Sequence, residues 1–263
     1  MEIENIELYP VIVPLKTVVE CGHGATTKQQ SVVIRITTKD GVYGVGAVDP
    51  RPGYDEESMD EIVDIVNHRL IPLISGEDPR RIRRIVDIMD AAVPRHLGSK
   101  AVVEMALFDL LGRTLGVPVH ALFGGRVKDE IVLNGWLGIV NPDQAKQETQ
   151  EMLERGFRSL KVKINADIAG GRRRVEVVKS IVGNRMQIRV DANETMNLAQ
   201  AKEAVKALEP FGIEYLEQPM PRENLEDFDA LAKFSPVKLM ADESIHDMGT
   251  LLQILKSGAA QFV

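Results

Sequence analysis

From Ile131 onward, short β-type segments alternate with helical ones, and no other property of the chain restricts its fold as strongly. "IVLNGWLGI" precedes the helical "NPDQAKQETQEMLERG", and "SLKVKI" precedes "RRRVEVVKSIVG". "MQIRVDAN" leads to "NLAQAKEAVKALEP", "IEYLEQP" to "NLEDFDALAKF", and "VKLMADES" to "DMGTLLQILKSG", after which "AQFV" begins another strand. Strict alternation of strand and helix builds a parallel sheet from βα units. The expected fold class is therefore α/β: a (β/α) barrel of TIM type with five complete units and a sixth strand just begun.

The part before Gly125 has a different rhythm. "IENIELYPVIVPL" alternates and reads as a strand ending at Pro14, and "QSVVIRITTKDGVYGVGAV" reads as a hairpin turning at Asp40-Gly41. Residues Val18–Lys28 and "DPRPGYDEES" read as exposed loops. Helical spacing follows over Glu56–Leu73, from an Asp78-Pro79 start to about Ala92, and over "SKAVVEMALFDLLGRTLG" from Ser99 to Gly116. The expected division is an α+β domain over residues 1–125 and a barrel domain over 126–263.

Polar residues stand at the ends of successive barrel strands. Lys163, Asp191, Glu217 and Asp242 lie 28, 26 and 25 residues apart, close to the roughly 30 residues of one βα unit. Right-handed crossovers bring such strand ends to one side of the sheet, where barrels of this type carry their active sites. Three bare carboxylates there repel one another. A hard divalent cation with oxygen ligands relieves this, so Asp191, Glu217 and Asp242 are the expected ligands of Mg²⁺, with Mn²⁺ as an alternative. No His/Cys spacing suggests zinc. In "SLKVKIN", Lys161 and Lys163 share one face of a strand and Leu160, Val162 and Ile164 the other. Lys163 is the candidate general base. Lys161 and the cation disfavour its charged form and so make it readier to accept a proton. The matching substrate is a carboxylate bearing an acidic proton on the adjacent carbon.

The segments "KVK", "VDAN", "EYLEQP" and "ADES", in this order and spacing, resemble the enolase superfamily, and within it the muconate-lactonizing-enzyme subgroup. Sites of that superfamily are described by a general rule as a Lys or His base with one or two Mg²⁺, so this mechanism is an expectation taken from the family. The resemblance implies an N-terminal capping domain whose loops contact substrate, with His23 and Tyr54 in the matching segments. It implies supporting roles for Asn193 and Glu243 beside the ligands. It implies a cycloisomerase, an epimerase or racemase, or a syn-dehydratase acting on a small carboxylate. Members have eight barrel strands and a second lysine on the sixth. The resemblance therefore implies that these 263 residues are a fragment or truncated form of a longer enzyme. The rival reading is a catalytically inactive chain that retains metal binding or associates with itself through an open sheet edge.

Composition narrows the remaining classes. A formal net charge of −7 argues against a nucleic-acid partner. No run reaches the roughly 18 apolar residues of a membrane span, and "MEIENIELYP" does not read as a secretory signal. A single cysteine, Cys21, fits a reducing cytoplasm. The expected protein is a cytoplasmic homo-oligomer. Taken singly, the lysine pair reads as a solvated strand face and each aspartate as a helix N-cap. Neither reading explains Glu217 ahead of Gln218-Pro219. The five histidines, His23 excepted, read as structural or surface residues.

Overall fold

The structure is a computed structural model, described here for residues 1–51 and 57–263. It divides into two compact units, one of residues 1–17 and 27–129, the other of residues 18–26 and 130–263. The sequence pattern alone changes after residue 125, four residues before this boundary.

The first unit contains most of β1 (Ile3–Cys21) and β2 (Gly24–Thr38), and all of β3 (Tyr43–Val48), in the order β1-β2-β3. β2 and β3 are antiparallel, running from Val32 opposite Val48 to Thr37 opposite Tyr43. The alternate residues Val32, Ile34 and Ile36 are fully buried, as a half-covered sheet requires. The helices are α1 (Met59–Ile65), continued by a π-helical turn over Val66–Leu70 into α2 (Ile71–Ile74), then α3 (Ile82–Ala92), α4 (Leu97–Leu115) and α5 (Val119–Leu122). β3 lies directly on α4: a Cβ on Gly44 would stand 2.1 Å from the Ala106 carbonyl, and one on Gly46 2.2 Å from that of Val102. Only glycine permits this approach of backbone to backbone.

Three local expectations are corrected. Val18–Lys28 is not a loop: β1 continues to Cys21 and β2 begins at Gly24, leaving Gly22-His23 as a two-residue turn. α3 begins at Ile82 instead of after Asp78: the Asp78 carboxylate accepts from the Arg80 backbone N–H at 3.0 Å and its guanidinium at 2.7 Å, but Arg81 stands in non-helical backbone (φ −89°, ψ 52°) ahead of the first turn. The "IVLNGWLGI" strand shrinks to β4 (Gly135–Leu137), with Ile131, Val132 and Leu133 exposed outside it.

The second unit is a five-stranded parallel sheet of β4, β5 (Ser159–Lys163), β6 (Gln187–Asp191), β7 (Leu216–Glu217) and β8 (Leu239–Met240), in that order. Each strand is followed by a helix: α6 (Pro142–Glu154), α7 (Ile168–Val182), α8 (Leu198–Leu208), α9 (Leu225–Phe234) and α10 (Met248–Ser257). Four of these five helices start where short polar side chains satisfy their first N–H groups; α9, preceded by Asn224, has no side-chain cap. Asn141 caps α6, Asp167 caps α7, and capping boxes at Asn197 and Asp247 open α8 and α10. One sheet face is wholly apolar. Leu160 pairs with Ile188, and Val162 with Val190; Val190 pairs with Leu216, and Leu216 with Leu239. All six are at most 2% exposed. Each such side chain contributes about 1.5–3 kcal/mol on burial. A one-residue slip would bring the charged row into their place, so this face fixes the register.

Candidate active site

That register sets the opposite row. Lys163 is the partner of Asp191, Asp191 of Glu217, and Glu217 of Met240, so three charged side chains stand level on β5, β6 and β7. Asp242 follows two residues beyond the Met240 position. Asp191 and Glu217 side chains are each 1% exposed and Lys163 is 11% exposed.

The two lysines divide between the two acids. Lys163 Nζ donates to Asp191 Oδ2 at 2.5 Å and to Asn193 Oδ1 at 2.9 Å. Lys161 Nζ donates to Glu217 Oε1 at 2.6 Å and stands 3.6 Å from Asp191 Oδ2. Burial opposes the charge on Lys161, but the hydrogen bond and the negative charge of Glu217 outweigh it and hold the ammonium above its ordinary pKa. Asp191 Oδ1 accepts the Asn193 backbone N–H at 3.0 Å.

Glu217 is the acid under stress. Its Oε2 is buried without a hydrogen-bond partner. Burial, then the charge of Asp191 and, less strongly, that of Asp242, push its pKa up from 4.5 to about 7 despite Lys161. The orphaned oxygen of Glu217, under the charges of Asp191 and Asp242, is what a hard cation would relieve, although these three side chains do not form a group of ligand atoms within 4.8 Å of one another among the described residues. The donor set is all oxygen, which fits Mg²⁺ or Mn²⁺ and not zinc.

The turns after β6 and β7 depart from ordinary backbone. Asn193 (φ 42°), Glu194 (φ 66°) and Gln218 (φ 31°) adopt left-handed conformations that cost non-glycine residues on the order of 1 kcal/mol or more each. Their side chains offset that cost. Gln218 donates to the Met220 carbonyl at 2.9 Å and to Ser244 Oγ at 2.7 Å. Its Oε1 accepts the N–H groups of Asp242 at 3.0 Å and Ser244 at 3.2 Å. One buried amide thus ties the end of β7 to the segment carrying Asp242. Glu194 accepts the Arg222 backbone N–H and its guanidinium, both at 2.7 Å. Burial works against its charge, but Arg222 prevails and lowers its pKa.

Glu243 and Asn193, expected as supporting groups, meet beside Lys163. Asn193 Nδ2 donates to Glu243 Oε1 at 3.1 Å. Burial raises the Glu243 pKa, partly countered by hydrogen bonds from Asn193 and His23. His23, from the Gly22-His23 turn, places Nε2 3.1 Å from the same Oε1 and 4.0 Å from Glu194 Oε2. Among the described residues, His23, Glu194 and Glu243 form the group whose potential ligand atoms all lie within 4.8 Å of one another. Arg222 already neutralises Glu194, so this trio reads as a hydrogen-bonded charge network and not as a second cation site. Tyr54, also expected to face substrate, lies outside the described residues.

Reading the sequence alone missed Gln218, Glu194, Arg222 and Arg174. Arg174, on α7, donates to the carbonyls of Val140 and Lys163, both at 3.0 Å, and so holds the end of β5. The signal for Gln218 was on the page: a glutamine between a strand-end glutamate and a proline has no other evident task.

Comparison with known proteins adds a second line. Residues 5–124 match the model described as "Mandelate racemase / muconate lactonizing enzyme, N-terminal domain", and residues 144–263 that described as "Enolase C-terminal domain-like". N-succinyl-L-Arg/Lys racemase of Bacillus cereus is 29% identical over 264 residues, covering 100% of this chain and 72% of that protein. Its crystal structure superposes with a TM-score of 0.95 over 99% of this chain and 71% of that one. Muconate cycloisomerase 1 of Rhodococcus opacus is 31% identical, with 100% of this chain and 72% of that protein covered. The dipeptide epimerase of Enterococcus faecalis, solved with Mg and the dipeptide L-Leu-L-Tyr, is 27% identical with a TM-score of 0.93, covering 99% of this chain and 73% of that one.

Proposed function

Since the chain belongs to the mandelate racemase / muconate lactonizing enzyme family of the enolase superfamily, we propose that Lys163 removes the proton α to the carboxylate of a small acid, in a metal-dependent isomerase of the epimerase, racemase or cycloisomerase type. The observation that carries this reading is the stressed pair beside Lys163: Asp191, which accepts its ammonium, and Glu217, buried with one oxygen unpartnered and its pKa raised to about 7.

Asp191, Glu217 and Asp242 would hold Mg²⁺, with Mn²⁺ as a substitute. When bound, the cation supplies positive charge where a substrate carboxylate gathers negative charge as its α-proton leaves. The chain's own residues do the rest. Lys163 Nζ, which donates to Asp191 and Asn193 here, must first give up its extra proton to solvent; as the neutral amine it can still donate to Asn193 Oδ1 and takes the α-proton on its lone pair. Lys161 stays charged through Glu217 and adds positive potential to the same row. Gln218 keeps the Asp242 segment against β7. The named relatives act on N-succinylated amino acids, dipeptides and muconates, and a carboxylate of that general kind is the substrate class proposed here.

Two wider readings accompany this one. The apolar residues Tyr9, Ile12 and Val13, exposed on edge strand β1, support assembly with further copies of the chain. Among the described residues no helix is long and apolar enough to cross a membrane, and a cytoplasmic setting is proposed from the single cysteine.

The test is exchange of the α-proton in D₂O, followed by NMR, over N-succinyl-L-arginine, N-succinyl-L-lysine and a set of L,L-dipeptides, with and without Mg²⁺; lactonization of cis,cis-muconate is followed alongside by absorbance. Mg²⁺-dependent turnover that falls by roughly 10³-fold or more in Lys163→Ala supports the assignment. Exchange that persists in that variant would refute it.

A further inference from the structure

The hairpin turn Gly22-His23 meets the residues around the base at two independent points. The first is packing. A Cβ on Gly22 would lie 2.6 Å from Asn193 Cβ, 2.8 Å from Thr195 Cγ2 and 2.9 Å from the Asn193 carbonyl oxygen, so the turn rests directly on the left-handed Asn193. The second is a continuous chain of polar contacts. His23 Nε2 meets Glu243 Oε1 at 3.1 Å, Asn193 Nδ2 donates to that same oxygen at 3.1 Å, and Asn193 Oδ1 accepts from Lys163 Nζ at 2.9 Å.

Donor and acceptor chemistry gives this chain a direction. An ionised glutamate only accepts and an ammonium only donates. Between them the Asn193 amide has a single satisfied orientation, with nitrogen towards Glu243 and oxygen towards Lys163. That orientation is only as firm as Glu243. The Glu243 side chain is 1% exposed, its Oε2 has no hydrogen-bond partner, and its side-chain bonds converge on Oε1. Of the two donors at Oε1, His23 is the one that comes from outside the strand-end segments.

We propose that His23 is a positioning residue for Lys163: from the hairpin turn it fixes Glu243, and through Glu243 it fixes the Asn193 amide that accepts the lysine. His23 need not touch substrate for this. The proposal deepens the reading of Lys163 as the base and rests on it for its catalytic consequence. The structural link itself can be measured apart from any activity.

The experiment uses the full 263-residue chain with Mg²⁺ present. The reactivity of Lys163 towards trace acetic anhydride is quantified by peptide mass spectrometry, with the exposed Lys39 as internal reference. In His23→Ala, Lys163 is expected to label roughly tenfold faster relative to Lys39, the size of effect typical when a supporting partner is lost. His23→Gln, whose amide nitrogen reaches about as far as Nε2 and can donate to Glu243, should restore wild-type labelling to within about twofold. In an Asn193→Ala background, His23→Ala should add nothing further, because the two act through one path. Wild-type labelling in His23→Ala overturns the proposal. So does a His23→Gln variant that behaves like His23→Ala, or additive effects in the double variant. His23→Leu, which keeps bulk but cannot hydrogen-bond, takes the place of His23→Ala if the smaller side chain prevents folding. On N-succinyl-L-lysine the same variant should lose roughly tenfold in kcat for α-deuteration with KM unchanged. If the wild type exchanges no substrate, the reading of the function fails, while the labelling result still decides the role of His23.

Discussion

Replacing Glu217 with glutamine should make the chelator-treated protein more stable while abolishing its response to Mg²⁺. Burial and the charges of Asp191 and Asp242 raise the Glu217 pKa from 4.5 to about 7. The folded protein therefore keeps a proton that the unfolded chain has lost, and stability falls as pH rises from 4.5 through 7. The rise of about 2.5 in pKa, at 1.36 kcal/mol per pH unit, amounts to about 3 kcal/mol, fully felt above pH 7 and absent below 4.5. The side chain is 1% exposed, so solvent screening leaves most of this in place. Glutamine carries no charge and removes the penalty, at the cost of a weaker bond from Lys161, now 2.6 Å from Oε1. The net gain should be about 2–3 kcal/mol at pH 8, or roughly 4–12 °C in Tm, and close to zero at pH 5. Urea unfolding in EDTA at the two pH values measures the difference. Thermal melts with and without Mg²⁺ should show a rise for the wild type and none for Glu217→Gln. A gain equal at both pH values, or a variant less stable at pH 8, would refute the electrostatic argument.

Two further outcomes test the scaffold. Gln218→Ala removes the side-chain acceptor of the Asp242 and Ser244 N–H groups and the donor to the Met220 carbonyl, such losses costing about 1–3 kcal/mol each when buried; it should lower unfolding stability by at least about 2 kcal/mol in urea and reduce the Mg²⁺-induced rise in Tm. Leu160→Ala, at a fully buried position, should cost about 2–5 kcal/mol and leave the midpoint of a Mg²⁺ titration unchanged.

The strands and helices after Gly135 were legible because two independent signals agreed. Apolar alternation in Leu160/Val162 and Ile188/Val190 fixes the buried face, and caps such as Asn141, Asn197 and Asp247 mark where helices open. Where a signal was single, the reading slipped. Asp78-Pro79 has the form of a helix start and its carboxylate takes the Arg80 N–H, but non-helical backbone at Arg81 delays the helix to Ile82. Gly22-His23 and its flanks are polar and small, which reads as a loop, although two paired strands carry that composition up to a tight turn. The strand-end residues could be named from their spacing. Spacing did not reveal their partners: Gln218 could have been read from its place between Glu217 and Pro219, whereas Arg222 and Arg174 act through contacts between segments that periodicity does not encode.

The placement of strain shows why these particular strand ends matter. A strand feeding a helix can turn with glycine at little cost, yet the turns after β6 and β7 carry Asn193, Glu194 and Gln218 in left-handed backbone. Glycine at those positions would relax the turns and delete three side chains. Each of them makes a bond that no backbone group could replace: Asn193 to Lys163 and Glu243, Glu194 to Arg222, Gln218 to Ser244 and the Asp242 backbone. The same segment holds Glu217 with an unpartnered oxygen and a pKa near neutrality. Stability alone would favour removing both the strain and the crowded carboxylate. Their joint presence at one end of one sheet is what selection for a charged, preorganised site produces. The gain in stability expected for Glu217→Gln is the measurable form of that argument.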